Sequence, residues 1–178
     1  MARVEYEAKL LNVDPAAMAI RIADAGGHHV GERRLRRYVY DTVPAMPGRW
    51  LRLRDTGTTV TLCVKEISSD AIDGTHETET TVGDFETTHS LLGHLGLTPR
   101  SYQENLRDSW LLGTVRLEID TWPLIPPYLE IEADSAEEVQ RTARRLSLSE
   151  DQLTSENTTK VYLRYGIDLE TVQDLRLP

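Results

Sequence analysis

The stretch that most constrains this chain is Val4-Glu5-Tyr6-Glu7-Ala8-Lys9-Leu10. Side chains on a β-strand alternate between faces, so Glu5, Glu7 and Lys9 share one face, and Val4, Tyr6, Ala8 and Leu10 share the other. Such a strand lines a wet cavity or lies on a solvated sheet. Two carboxylates two residues apart grip a hard divalent cation, and the neighbouring lysine grips phosphate. What the chain folds into depends on whether it carries more strands of this kind.

It does. Trp50-Leu51-Arg52-Leu53-Arg54 sets Arg52 and Arg54 on one face, and Asp55-Thr56-Gly57 is a turn signal. Thr59 to Lys65 returns as the hairpin partner, with Thr61, Cys63 and Lys65 opposite Val60, Leu62 and Val64. Cys63 is read as a packing or lining residue of that strand. His76 to Val82 carries Glu77 and Glu79 on one face. Thr114 to Thr121 sets Glu118 and Asp120 against Leu117 and Ile119, and Tyr128 to Glu132 repeats the pattern with Glu130 and Glu132. Arg33 to Val43 and Arg100 to Leu112 also read as strands, the first ended by Pro44.

Helices fall between them. Asp14-Pro15 opens one that Gly26-Gly27 stops. His28 and His29 follow, read as solvated loop residues. Asp84 caps a helix with the stripe Phe85, Leu91, Leu92 and Leu95, and Ser135 with Glu138 is a capping-box signature. A last helix from about Asn157 to Tyr165 carries Lys160, and the tail from Asp168 reads as loosely held. With no repeat or break in composition, the expectation is one domain over residues 1–178.

Alternation alone decides little. Charged–apolar–charged triplets arise by chance at roughly 0.03 per window, about five in such a chain, and an antiparallel sheet with one solvated face explains them equally well. The signs say more. Glu5/Glu7, Glu77/Glu79, Glu118/Asp120 and Glu130/Glu132 are like-charge pairs on single faces, and Arg52/Arg54 is the opposite case. A face built only for solubility mixes signs, because like neighbours repel. Segregated pairs make sense when cations neutralise the carboxylates and a polyanion neutralises the arginines. Eight or so such strands would close into a barrel with a charged interior and helices on its apolar outside, an α+β fold.

The net charge of −9 argues against non-specific nucleic-acid binding, though a local basic pocket is compatible with it. No apolar run approaches a membrane span, and Arg3, Glu5 and Glu7 interrupt any signal-peptide core. Cys63 is the only cysteine, which excludes an intrachain disulfide and a thiolate zinc site and suits a cytoplasmic location.

Glu5-Tyr6-Glu7-Ala8-Lys9 resembles the ExExK signature of the CYTH domain, the triphosphate tunnel metalloenzymes. The resemblance continues in order along nearly the whole chain: Tyr38 to Thr42 with the family's tyrosine–aspartate strand, Leu51 to Arg54 with its double-arginine strand, and Thr61 to Lys65 with its lysine strand. His76 to Glu79, Arg107, Glu118 to Asp120, Leu129 to Glu132 and Lys160 follow. The family implies an eight-stranded antiparallel tunnel and a Mg²⁺- or Mn²⁺-dependent attack on a triphosphate. By that resemblance Lys9, Arg52, Arg54, Lys65 and Arg107 would bind the triphosphate, and Glu5, Glu7, Asp120, Glu130 and Glu132 would hold one or two metals. A second metal, or a carboxylate from Glu77, Glu79 or Glu118, would position the attacking water, and Lys160 would close one end of the site. One departure stands out: Asn105 occupies a position where the family often has a lysine. Members split between hydrolases of inorganic, nucleoside or thiamine triphosphates and class IV adenylate cyclases. The expectation is hydrolysis, which needs only the clamp, a metal and water. Cyclisation of ATP is the alternative, with Tyr38, Tyr40, Trp50, Trp110 and Trp122 as candidate base-stacking residues. A non-catalytic polyphosphate- or nucleotide-binding module is the third reading. A homodimer is a family-level expectation.

Overall fold

The computed structural model describes residues 3–178. In chain order it runs β1 (Arg3–Leu10), α1 (Pro15–Asp24), β2 (His28–Met46), β3 (Arg49–Asp55), β4 (Val60–Ile67), β5 (Thr75–Val82), α2 (Phe85–His94), β6 (Pro99–Leu112), β7 (Val115–Thr121) and β8 (Tyr128–Ala133). It ends with α3 (Ala136–Arg145), the two-residue β9 (Leu153–Thr154), α4 (Thr158–Arg164) and the two-residue β10 (Asp174–Leu175). The first eight strands pair antiparallel in the ring order β1-β5-β4-β3-β2-β6-β7-β8, and β8 pairs back with β1. The expected closed eight-stranded antiparallel barrel is the fold found. Closure satisfies the backbone of every wall strand and leaves the barrel no sheet edge.

The apolar faces point outward, and the helices cover them. Ala8, Leu117, Ile119, Leu129 and Ile131 pack against Met18 and Ile22 of α1 and Val139, Ala143 and Leu146 around α3. On the far side Tyr40 and Leu53 meet Phe85 and Leu92 of α2. Each helix starts where a side-chain cap accepts an orphan amide: Asp14 from Ala17, Asp84 from Thr87, Ser135 from Glu138 and Asn157 from Lys160. The hydrophobic core is therefore a shell around the barrel, and the interior is left to charge.

Three local expectations change. His28 and His29 belong to β2, because pairing with β6 continues to His28↔Leu111, and His29 Nε2 meets Asp108 Oδ1 at 2.6 Å. β2 also runs past Pro44, with a register irregularity between Asp41 and Met46 absorbing it. The tail from Asp168, expected to be loosely held, is docked: Leu169 and Leu175 are buried beside Trp122, Tyr128, Val161 and Tyr162, and β10 pairs parallel with β6.

Candidate active site in the barrel tunnel

The barrel encloses a tunnel of about 1480 Å³, lined by the charged faces of the strands. Glu5, Glu7, Lys9, Arg52, Arg54, Lys65, Glu77, Glu79, Arg107, Glu118, Glu130, Glu132 and Lys160 all line it. Asp120 does not. Its carboxylate is fully buried on the same strand face as Glu118, covered by Asn105 and Arg107, where it accepts from Asn105 Nδ2 at 2.8 Å and from Arg107 Nε at 2.8 Å and Nη2 at 2.5 Å.

One side of the tunnel is cationic. Register sets Arg37 opposite Arg54 and Val39 opposite Arg52, so three guanidinium groups crowd together. The Nε atoms of Arg37, Arg52 and Arg54 are all buried without a partner. Each such unsatisfied donor costs about 1–3 kcal/mol, a cost an anion in the tunnel would remove. The crowding shows in the charge state: the Arg52 guanidinium, then burial and Arg107, bring Arg54 down to about 10. Carboxylates hold the flanks. Arg52 reaches Glu77 at 3.2 Å and Glu79 at 3.3 Å, and Arg54 reaches Glu79 at 3.4 Å. Lys65 lies between Glu5 at 2.6 Å and Glu77 at 3.0 Å.

The other side is acidic. Glu7 stands directly across from Glu132, and Glu118 from Glu130. Like charges paired this way destabilise a ladder unless something neutralises them. Lys9, almost fully buried, takes Glu7 at 2.8 Å and Glu130 at 3.2 Å. Burial opposes the Lys9 charge, but those two carboxylates hold the ammonium well above its ordinary range. Arg116 takes Glu132. Burial, then the hydrogen bond and charge of Glu77 and the charge of Glu7, push Glu5 up to about 8 against the pull of Lys65. A wall this short of neutralising charge, built from oxygen donors, fits a hard dication such as Mg²⁺ or Mn²⁺. Glu118 has no cation partner among the described residues; it accepts from Ser109 Oγ at 2.6 Å, and burial raises its pKa.

Cys63, Glu77 and Glu79 present another group of potential ligands, with donor atoms all within 4.8 Å of one another. Burial keeps Cys63 a thiol by raising its pKa, and a neutral thiol is a poor ligand for a hard dication, so this set suits one poorly.

Lys160, on α4, is among the tunnel-lining residues and pairs with Asp70 of the β4–β5 loop. Both side chains are about half exposed, so the pair stabilises by roughly 0–1 kcal/mol. Asp70→Ala is accordingly expected to shift the melting midpoint by less than ~4 °C, read by circular dichroism. A larger loss would mean that the loop is held mainly by this pair.

Sequence reasoning missed Arg37 and Arg116, both tunnel-lining. Arg116 was legible, since it shares a strand face with Glu118 and Asp120. Among the candidate stacking residues, Trp50 and Trp122 line the tunnel. Tyr38 stacks on Phe85 and His89, Tyr40 bonds His89 at 2.7 Å, and Trp110 packs on His29. Those three belong to the packing around the barrel.

Among the described residues no helix is long and apolar enough to cross a membrane. No curated protein matches the chain in sequence. Solved structures do match in fold. The PH1012 protein from Pyrococcus horikoshii is 21% identical, with 94% of this chain and 99% of that chain covered and a TM-score of 0.74. A proposed adenylate cyclase from Vibrio parahaemolyticus is 17% identical, with 92% and 99% covered and a TM-score of 0.74. HpAC1 from Hippeastrum, a proposed adenylyl cyclase described as having a dominant triphosphatase activity, is 15% identical, with 93% and 96% covered and a TM-score of 0.61. The family model of the CYTH domain matches residues 3–162, most of the chain and every strand of the barrel, so this protein belongs to the CYTH domain family.

Proposed function

We propose that this protein is a divalent-metal-dependent hydrolase of a triphosphate. The observation that carries the reading is the set of adjacent buried guanidinium groups with unpartnered Nε donors, facing a carboxylate wall across one tunnel. Arg52, Arg54, Lys65, Lys9 and Arg107 bind and orient the polyanion, and their charge is most useful as negative charge shifts between phosphoryl oxygens. Glu5, Glu7, Glu130 and Glu132 hold Mg²⁺ or Mn²⁺. When bound, the metal neutralises charge on phosphoryl oxygens. Asp120 orients Arg107 and Asn105. Glu118, a buried tunnel carboxylate with no salt bridge among the described residues, accepts the proton of the attacking water. Glu77 and Glu79 hold the arginines in place, and Lys160 closes one end. The triphosphatase activity described for HpAC1, which shares this fold, supports hydrolysis over cyclisation.

The second reading is cyclisation of ATP to cyclic AMP and pyrophosphate. Trp50 favours it, as a half-buried indole on the lumen face beside Arg52 that offers a stacking surface to an organic group. The test is ³¹P NMR with tripolyphosphate and, separately, ATP, each with Mg²⁺ or Mn²⁺. Orthophosphate release is expected, and a Glu5→Gln/Glu7→Gln variant is expected to abolish it. Pyrophosphate with a cyclic-nucleotide resonance would replace the first reading by the second. Binding without turnover in either metal would make the protein a non-catalytic polyphosphate-binding module.

A further inference from the structure

Arg37 differs from the other cations deep in the tunnel wall. Lys9, Arg52, Arg54, Lys65 and Arg107 each form a salt bridge with a carboxylate. Arg37 forms none among the described residues. Its Nη2 donates to the neutral Oδ1 of Asn105, and its Nε has no partner. The residue is only 8% exposed, and it lines the tunnel. Its Cζ lies 4.5 Å from the centroid of the Trp122 ring, over the indole face, which supports the guanidinium from one side.

Holding that charge there is unfavourable. Burial, then the charges of Arg52, Arg54 and Arg107, pull Arg37 down to about 9, so at neutral pH it remains a cation. A buried charge beside like charges and without a salt bridge is costly in the wall, and the Asn105 hydrogen bond, the Trp122 face and the charge of Asp120 offset it only in part. Leu35 and Val39, which flank Arg37 on the same lumen face of β2, show that apolar side chains fit there. The cost is recovered only when negative charge enters the tunnel.

We infer that Arg37 is a third anion-binding arginine, gripping the same polyphosphate chain as Arg52 and Arg54, with Asn105 and Trp122 as the residues that aim it. This rests on the triphosphate reading above. Asn105 is the hinge of the arrangement: Oδ1 takes Arg37, and Nδ2 donates to Asp120. A lysine at that position would repel Arg37. Arginine on β2 with asparagine on β6 thus places one positive charge in this part of the tunnel, and lysine on β6 without the arginine would place the same charge from the opposite strand.

Calorimetric titration with tripolyphosphate in EDTA, where no turnover accompanies binding, tests this. Wild type binds. Arg37→Gln is expected to weaken binding about tenfold or more, as loss of a charge-assisted hydrogen bond does. Its melting temperature stays level or rises, whereas a merely structural arginine would lower it. Arg37→Lys keeps the charge but loses the stacked fork, and falls between the two; it decides the matter should Arg37→Gln not fold. Arg37→Gln/Asn105→Lys recovers part of the lost affinity. An Arg37→Gln constant within twofold of wild type, while Arg52→Gln weakens binding tenfold, overturns the inference and leaves the triphosphate reading standing. Should wild type not bind in EDTA, KM with Mn²⁺ is compared across the same variants; no turnover of tripolyphosphate or ATP there either overturns both.

Discussion

An Arg52→Gln/Arg54→Gln variant is expected to lose about 10²- to 10⁴-fold in kcat/KM for its triphosphate while its melting midpoint moves by only a few degrees. The two guanidinium groups lie on one lumen face, each with an Nε that finds no partner in the wall. A hydrogen bond to a charged group contributes about 1.5–3 kcal/mol, and two such contacts compound to this range. Stability responds differently, because opposing terms nearly cancel. Removing the arginines relieves their repulsion with each other and with Arg37. It also strips Glu79 of both its partners, but Glu79 is one-third exposed and regains water. Glu77 keeps Lys65 at 3.0 Å. Steady-state kinetics with tripolyphosphate, beside a thermal melt, reads both effects. Arg52→Lys/Arg54→Lys should recover only part of the activity, since a lysine supplies charge without the planar fork. A double glutamine variant within tenfold of wild type would remove the arginines from the substrate site.

Asp120→Ala is expected to cost about 3–5 kcal/mol of folding stability, lowering the midpoint by roughly 6–20 °C. Asp120 is fully buried and serves three donors. Its removal leaves Arg107 with Glu130 at 3.3 Å as its carboxylate partner and frees Asn105 from the hydrogen bond that orients it toward Arg37. Asp120→Asn keeps the shape and removes the charge, so it separates two roles. As the anchor of Arg107, Asp120 affects stability and polyphosphate affinity, and the Mn²⁺ constant of the folded Asp120→Asn protein stays near that of wild type. As a metal ligand, it would lose Mn²⁺ affinity at least tenfold. Titration calorimetry with Mn²⁺ reads the difference, and a large loss would return Asp120 to the metal set that the acidic strand pattern suggests.

Much of the site was legible because strand alternation is a local property. Glu5, Glu7, Arg52, Arg54, Glu130 and Glu132 were assigned to one face by their spacing alone, and all of them line the tunnel. The helix starts were equally plain, since Asp14, Asp84, Ser135 and Asn157 each cap an amide three residues on. The ends of β2 were not. His28, His29 and Pro44 carry loop signals, and pairing with a distant strand overrides them at the histidines. The tail gave no apolar stripe, yet Leu169 and Leu175 reach a pocket beside Tyr162 that exists only once α4 has docked.

Depth and partnership belonged to the tertiary structure. Asp120 shares a face with Glu118, yet Glu118 lines the tunnel and Asp120 does not, because Arg107 and Asn105 close over it. Arg37 sits between Leu35 and Val39 on its face, so its own strand reads as apolar there. Its meaning comes from Arg54 across one ladder and from Asn105, 68 residues away, on the other side. The sequence by itself determined which faces carry charge, because a period of two needs nothing beyond neighbouring residues. The register of strands far apart in the chain decided which charges meet, and no local pattern encodes that.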